Sequence, residues 1–244
     1  MSLQEWLYPM AVILLGYVVL GITGFGSSLV MVPLLVRQWP LAETVALAIL
    51  LDIPASLLHG GLNLRQVRWP ELSRLLPGMA LGSALGLWLL GGLDKRWLML
   101  ALGAYVVLVA VRGLRPRPQF QPAHAHWAHL AGTLVGLIEV LFATAGPLVV
   151  AWLQRRMDEV QALRATVPVV MALAGSVALA VLLSSGLMDS ATLLPRWLLG
   201  LPLSLFGVVL GNRLAARIPA TVMKRLMAAL LCVSGLSLMR QFWA

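Results

Sequence analysis

GITGFGSSLVMVP, Gly21 to Pro33, interrupts an otherwise unbroken apolar run from Tyr8 to Val36. Drawn as one straight helix at 1.5 Å per residue, the run would reach roughly 43 Å, more than one bilayer crossing requires and less than two. Gly21, Gly24 and Gly26, with Thr23, Ser27 and Ser28, favour a bend at its centre over continuous helix. The pattern predicts a re-entrant hairpin that enters a membrane, breaks, and leaves by the same side. IEVLFATAGP, Ile138 to Pro147, breaks the later run Trp127 to Leu153 in the same manner.

Around these stretches the chain stays apolar. Of its 244 residues 60% are hydrophobic and 11% charged, against roughly 25% charged in a soluble domain, which excludes a soluble fold. Eight apolar segments follow one another: Tyr8 to Val36, Leu41 to Gly61, Leu75 to Leu93, Trp97 to Val111, Trp127 to Leu153, Thr166 to Leu187, Trp197 to Leu210 and Ile218 to Met239. They predict an all-α polytopic membrane protein. Eight of the nine Trp residues, all but Trp88, stand at segment ends, where an indole is half buried and half hydrated. The net charge of +9 rests on Lys and Arg that punctuate segment ends, so the lipid bilayer is the expected partner and nucleic acid is not. Cys232 stands alone, which leaves no intrachain disulfide. No Lys or Arg precedes the first apolar stretch, which predicts that it is retained rather than cleaved as a signal peptide.

The widest interruption, RGLRPRPQFQPAHAH from Arg112 to His126, cannot be helical in lipid and divides the chain. Repeat 1 is expected at residues 1–115, a linker at 116–126 and repeat 2 at 127–244, with four segments in each repeat. At one offset of 125, Pro77, Gly82 and Gly86 of LPGMALGSALG meet Pro202, Gly207 and Gly211 of LPLSLFGVVLG, and Gly61 meets Gly186. Near the start of each half the offset is 114, pairing Pro33 with Pro147. Glycines four apart share a helix face and let backbones approach closely.

Charge counting arbitrates the topology, since basic residues concentrate on the cytoplasmic side of short loops. Eight full crossings would divide the 18 Lys and Arg residues 8 to 10, whereas re-entrant first segments divide them 13 to 5. Each half then makes three crossings, and the two repeats are inverted relative to one another.

Two acids, Asp52 and Glu139, lie well inside apolar segments. A mid-bilayer carboxylate costs about 2.5 to 3.5 kcal/mol on insertion scales, so it faces water, meets a partner, or carries a proton. Asp52, Ser56 and His59 fall on one face of the second segment, where carboxylate and imidazole could relay a proton. The alternative is that Asp52 meets backbone donors near Pro54 while His59 sits at headgroup level. In the two breaks, backbone N–H groups where a helix restarts favour an anion. Gly24, Phe25, Gly26, Ser27, Ser28 and Pro33 in the first, and Thr144, Ala145, Gly146 and Pro147 in the second, are the expected binding residues, with Arg164 as the nearest fixed cation. Asp52, Glu139 and His59 are the expected proton-coupling groups. His124, His126 and His129 have no carboxylate or thiol to complete a metal set, and no nucleophile meets an oriented base, so no metal, cofactor or enzymatic activity is expected.

GFGSSLVMVPLL (Gly24 to Leu35), VRWPEL (Val67 to Leu72), LPGMALGSALG (Leu76 to Gly86), FATAGP (Phe142 to Pro147), RAT (Arg164 to Thr166) and LPLSLFGVVLG together resemble the sulfite exporter TauE/SafE family, also grouped as toluene sulfonate uptake permeases. The resemblance covers nearly the whole chain. It implies a secondary carrier of small anions such as sulfite, sulfonates or small carboxylates, proton-coupled and resident in the bacterial cytoplasmic membrane. FATAGP is poorer in glycine than the family pattern, and Glu139 stands where the family usually has a small residue. The expected mechanism is alternating access, with one repeat rocking against the other around an anion held between the breaks. A passive anion channel and a non-transporting membrane scaffold are the rival readings.

Overall fold

The computed structural model describes residues 3–60, 64–114, 123–157, 159–185 and 190–215, together with 217, 228–229, 231–233, 235–236 and 239–240. The described residues form nine α-helices and no strand. They are α1 (Leu3–Thr23), α2 (Ser27–Leu35), α3 (Leu41–Gly60), α4 (Trp69–Gly92), α5 (Lys95–Leu114), α6 (Ala128–Phe142), α7 (Gly146–Leu153), α8 (Val160–Ser184) and α9 (Ser190–Ala215). Six helical stretches, α1, α3, α4, α6 together with the 3-10 turn Ala125–Trp127 before it, α8 and α9, are long and apolar enough to cross a membrane. Most of the linker, more than half of the eighth predicted segment and the Gly61–Gly186 pairing lie outside the described residues; those of the eighth segment that are described, from 228 on, are helical, and Gly235 packs against Gly103 of α5.

Both predicted breaks are present. Gly24 and Gly26 take φ of 83° and 95°, a left-handed conformation that ends α1 and is open to glycine at little cost. Ala143 takes φ of 53° at the end of α6 without that freedom, a strain of about 1 kcal/mol. Its N–H donates to the Glu139 carbonyl at 2.8 Å and closes the last turn. The helix starts align Ser27 with Gly146, not Pro33 with Pro147: Pro33 is buried in the interior of α2, while Pro147 stands in the first turn of α7. That corrects the expected offset at the breaks.

Each broken pair folds back on itself. The Tyr8 hydroxyl donates to the Leu34 carbonyl at 3.1 Å, and the Trp6 and Trp39 rings meet edge-on at 6.4 Å, so α2 leaves near where α1 entered. In the second pair the Ala123 N–H donates to the Arg155 carbonyl at 3.1 Å, and Arg156 NH1 to the Ala123 carbonyl at 2.6 Å. These closures lie at opposite ends of α3. Glu43, in its first turn, pairs with Arg196 of α9 at 2.5 Å, and that guanidinium also lies 4.3 Å from the centre of the Trp39 ring. Beyond the other end of α3, Glu71 in the first turn of α4 takes both Arg156 and Arg74 at 2.8 Å. Its hydrogen bond raises the Arg156 guanidinium above its ordinary pKa. The first turn of α4 thus lies in VRWPEL, earlier than the expected segment start at Leu75; Pro70 is tolerated there because first-turn N–H groups have no helical partner.

The closest helix contacts cross between the two halves of the sequence. A Cβ on Gly82 of α4 would fall 2.0 Å from the Thr133 carbonyl oxygen of α6, and one on Gly211 of α9 would fall 2.2 Å from the Val18 carbonyl oxygen of α1. The repeated glycines are therefore sites of backbone contact, as their spacing predicts. Buried apolar side chains gather in two clusters. One is built mainly from α1, α2, α3 and α5 with part of α9. The other is built from α4, α6, α7 and α8.

Candidate functional site

The tips of the two hairpins meet. A Cβ on Gly146 would lie 3.1 Å from the Phe25 Cβ, and between the tips is a cavity lined by Gly24, Phe25, Gly26, Ser27, Ser28, Ser56, Asp52, Thr144, Gly146 and Pro147, closed by Leu20, Leu29, Ala143 and Met171. Its volume, about 10 Å³ to the centre of a water-sized sphere, has room for one water.

Asp52, 8% exposed, is the centre of the first break. Its Oδ1 accepts from the Tyr17 hydroxyl at 2.7 Å and from the Ser27 hydroxyl at 2.6 Å, and its Oδ2 accepts from the Ser28 hydroxyl at 2.5 Å. Three hydroxyls from α1 and α2 thus converge on one carboxylate carried by α3. Hydrogen bonds to a charged acceptor contribute about 1.5 to 3 kcal/mol each, so this is a stiff junction of three helices. Ser27 and Ser28, two of the expected anion-binding residues, both donate to Asp52. The alternative of backbone donors near Pro54 is replaced by side-chain donors.

Glu139, 1% exposed, belongs to the second break. Its Oε2 accepts the Ala145 N–H at 3.1 Å, and Gly175 of α8 would place a Cβ 3.8 Å from its Oε1. It does not line the cavity. Each break therefore has its own buried carboxylate; the first is not lined by neutral hydroxyls alone. Thr144, 2% exposed, presents a buried hydroxyl with no hydrogen-bond partner on the cavity wall. Its carbonyl accepts from the Tyr105 hydroxyl at 2.8 Å, which braces the second tip on α5.

Four predicted residues are not on the cavity wall: Glu139, Ala145, Pro33 and His59. Pro33 packs within α2. His59 has its Nε2 within reach of Gly24 at the far end of α3, where a Cβ on that glycine would meet it at 3.1 Å. Arg164 falls in the second turn of α8, two turns before the cavity residue Met171, and its side chain lies outside the described residues. Tyr17 and Tyr105 were missed from sequence. A phenol inside a membrane helix needs a partner for its hydroxyl, and that requirement was the available signal.

The family model for "Sulfite exporter TauE/SafE" matches residues 9–238 of the chain. The chain is also similar to the "Probable inner membrane transporter protein TsaS" of Comamonas testosteroni, at 57% identity over 198 residues, covering 81% of this chain and 83% of that relative. No solved structure matches.

Proposed function

We propose, from the premise that the chain belongs to the sulfite exporter TauE/SafE family and is a multi-pass inner-membrane transporter rather than an enzyme, that it carries small anions together with protons by alternating access. The observation that carries the reading is the meeting of two hairpin tips around one small cavity beside two buried carboxylates. Restarted helices and hydroxyls suit a sulfite, a sulfonate or a small carboxylate, while the carboxylates suit protons. A cavity with room for one water is a closed state of the site.

Opposite entry of the two hairpins supports inverted repeats, and the 13-to-5 division of basic charge supports a cytoplasmic Glu71–Arg156 end. The moving bodies are then not the repeats themselves. Glycine contacts with backbone join α1 to α2 and α9 and α4 to α6, and the Glu43–Arg196, Glu71–Arg156 and Arg68–Glu159 pairs add α3 to the first body and α7 and α8 to the second, whereas Gly175 of α8 meets α3 only through side chains. The boundary runs between α3 and α8, which carry Pro54 and Pro168, and it meets the cavity at the tips.

Flux into proteoliposomes with the membrane potential clamped at zero tests the coupling. One proton per anion permits about tenfold accumulation per pH unit and two permit about a hundredfold. With Asp52 and Glu139 each carrying one proton, Glu139→Gln is expected to lower the accumulation limit by that factor of about ten per pH unit. No accumulation by the wild type marks a channel, and an unchanged limit removes Glu139 from the coupling.

The unpartnered Thr144 hydroxyl is a donor reserved for the anion. Thr144→Val keeps the shape, so the thermal midpoint should hold or rise while anion affinity falls about fivefold, the worth of roughly 1 kcal/mol. Unchanged affinity would assign the hydroxyl no part in binding.

A further inference from the structure

We propose that Asp52 is a built-in competitor of the transported anion, an internal carboxylate that occupies the donors of the first break and yields them only on taking up a proton. The inference rests on the anion-carrier reading and adds how the proton enters it. Tyr17, Ser27 and Ser28 point their hydroxyls at one spot beside the start of α2, the arrangement of an anion site, and the anion found there belongs to the chain. The spot opens on the cavity, and across the cavity stands the unpartnered Thr144 hydroxyl. An external oxyanion using Thr144 would come within hydrogen-bond reach of Ser27, Ser28 and Asp52 together. Two negative charges so close in a buried site repel strongly, and each hydroxyl has one proton to give.

A proton arriving from water removes both conflicts. It neutralises Asp52, releases the serine and tyrosine hydroxyls, and turns one carboxyl oxygen from acceptor to donor, so the atom that excluded the anion now binds it. The titratable groups facing Asp52 are Tyr17 on α1 and Glu139 on α6, with His59 two turns along its own helix beside Gly24. Glu139 does not compete in this way, because it does not line the cavity.

Equilibrium binding of p-toluenesulfonate to the purified full chain, measured over a pH series, decides the matter, since the charge of a sulfonate does not change across it. Wild-type affinity is expected to fall about tenfold per pH unit once Asp52 ionises. In a Glu139→Gln background, which removes the second coupled proton, Asp52→Asn should bind at every pH with the low-pH affinity of that background. Ser28→Ala gives a test that does not depend on that variant folding. The lost donor served substrate and competitor alike, so affinity should drop at low pH and stay near wild type at high pH.

A pH slope persisting in Asp52→Asn on the Glu139→Gln background, or an equal loss at all pH in Ser28→Ala, overturns the competition. Wild-type binding with no pH slope overturns it too, while leaving the anion-carrier reading intact. No wild-type binding of p-toluenesulfonate, sulfite or a short carboxylate at any pH overturns both.

Discussion

Leucine in place of Gly82 is expected to leave no folded protein in detergent extracts. Even a single Cβ there would stand 2.0 Å from the Thr133 carbonyl oxygen, 2.7 Å from its carbon and 2.9 Å from the Leu137 nitrogen. All three are backbone atoms of α6, so no side chain can turn aside and the helices must part. Overpacking in a dense interior costs about 1 to 3 kcal/mol per site, and separating two helices along a shared glycine face costs more. Gly82→Ala should already lower the thermal midpoint. Gly91→Leu, on the same helix with nothing within 4 Å, is the control and should extract like the wild type. Size-exclusion profiles of the three variants give the comparison, and normal extraction of Gly82→Leu would refute the close packing.

Cross-linking separates the two ways of dividing the molecule. In a Cys232→Ser background, a disulfide between Ile49→Cys and Gly175→Cys would fasten α3 to α8, where a Cβ on residue 175 lies 3.2 Å from Ile49 Cγ2. Transport is expected to drop below about a tenth of the reduced rate and to return with reductant, because the bond spans the surface along which the bodies slide. A disulfide between Gly86→Cys and Val140→Cys joins α4 to α6, with Cβ atoms 3.0 Å apart before adjustment. It also links the first half of the sequence to the second, yet it should leave transport largely intact. Inhibition by both cross-links, since each spans the two repeats, would mean that the repeats are the moving bodies.

How far the sequence reveals this architecture depends on whether a feature is local. Gly24 and Gly26 announce a break because positive φ is a property of single residues, and the first hairpin was legible for that reason; the second, whose positive φ falls on Ala143, was legible only as an interruption of its apolar run. The apolar runs and their tryptophan ends mark the helices equally well. Glycines four apart announce a close approach but carry no label for the partner, so the pairing of α4 with α6 and of α1 with α9 was hidden. Asp52 was recognisable as costly in lipid. The remedy was not, since Tyr17 lies 35 residues away and Ser28 was assigned to the substrate. Glu71 read as one more acid in a polar joint; only its fork to Arg156, 85 positions on, makes it the clasp of the second hairpin.

The seal of α1 by α9 also sets a schedule for synthesis. The carbonyl of Val18 and the surface of Gly21 meet Gly207 and Gly211, which the ribosome adds roughly 190 residues later. At about 5 to 20 residues per second, that interval is on the order of ten to forty seconds. Through it the first helix waits in the membrane with its groove against lipid or an insertion factor, and a transcript cut before α9 yields an unsealed helix rather than half a transporter.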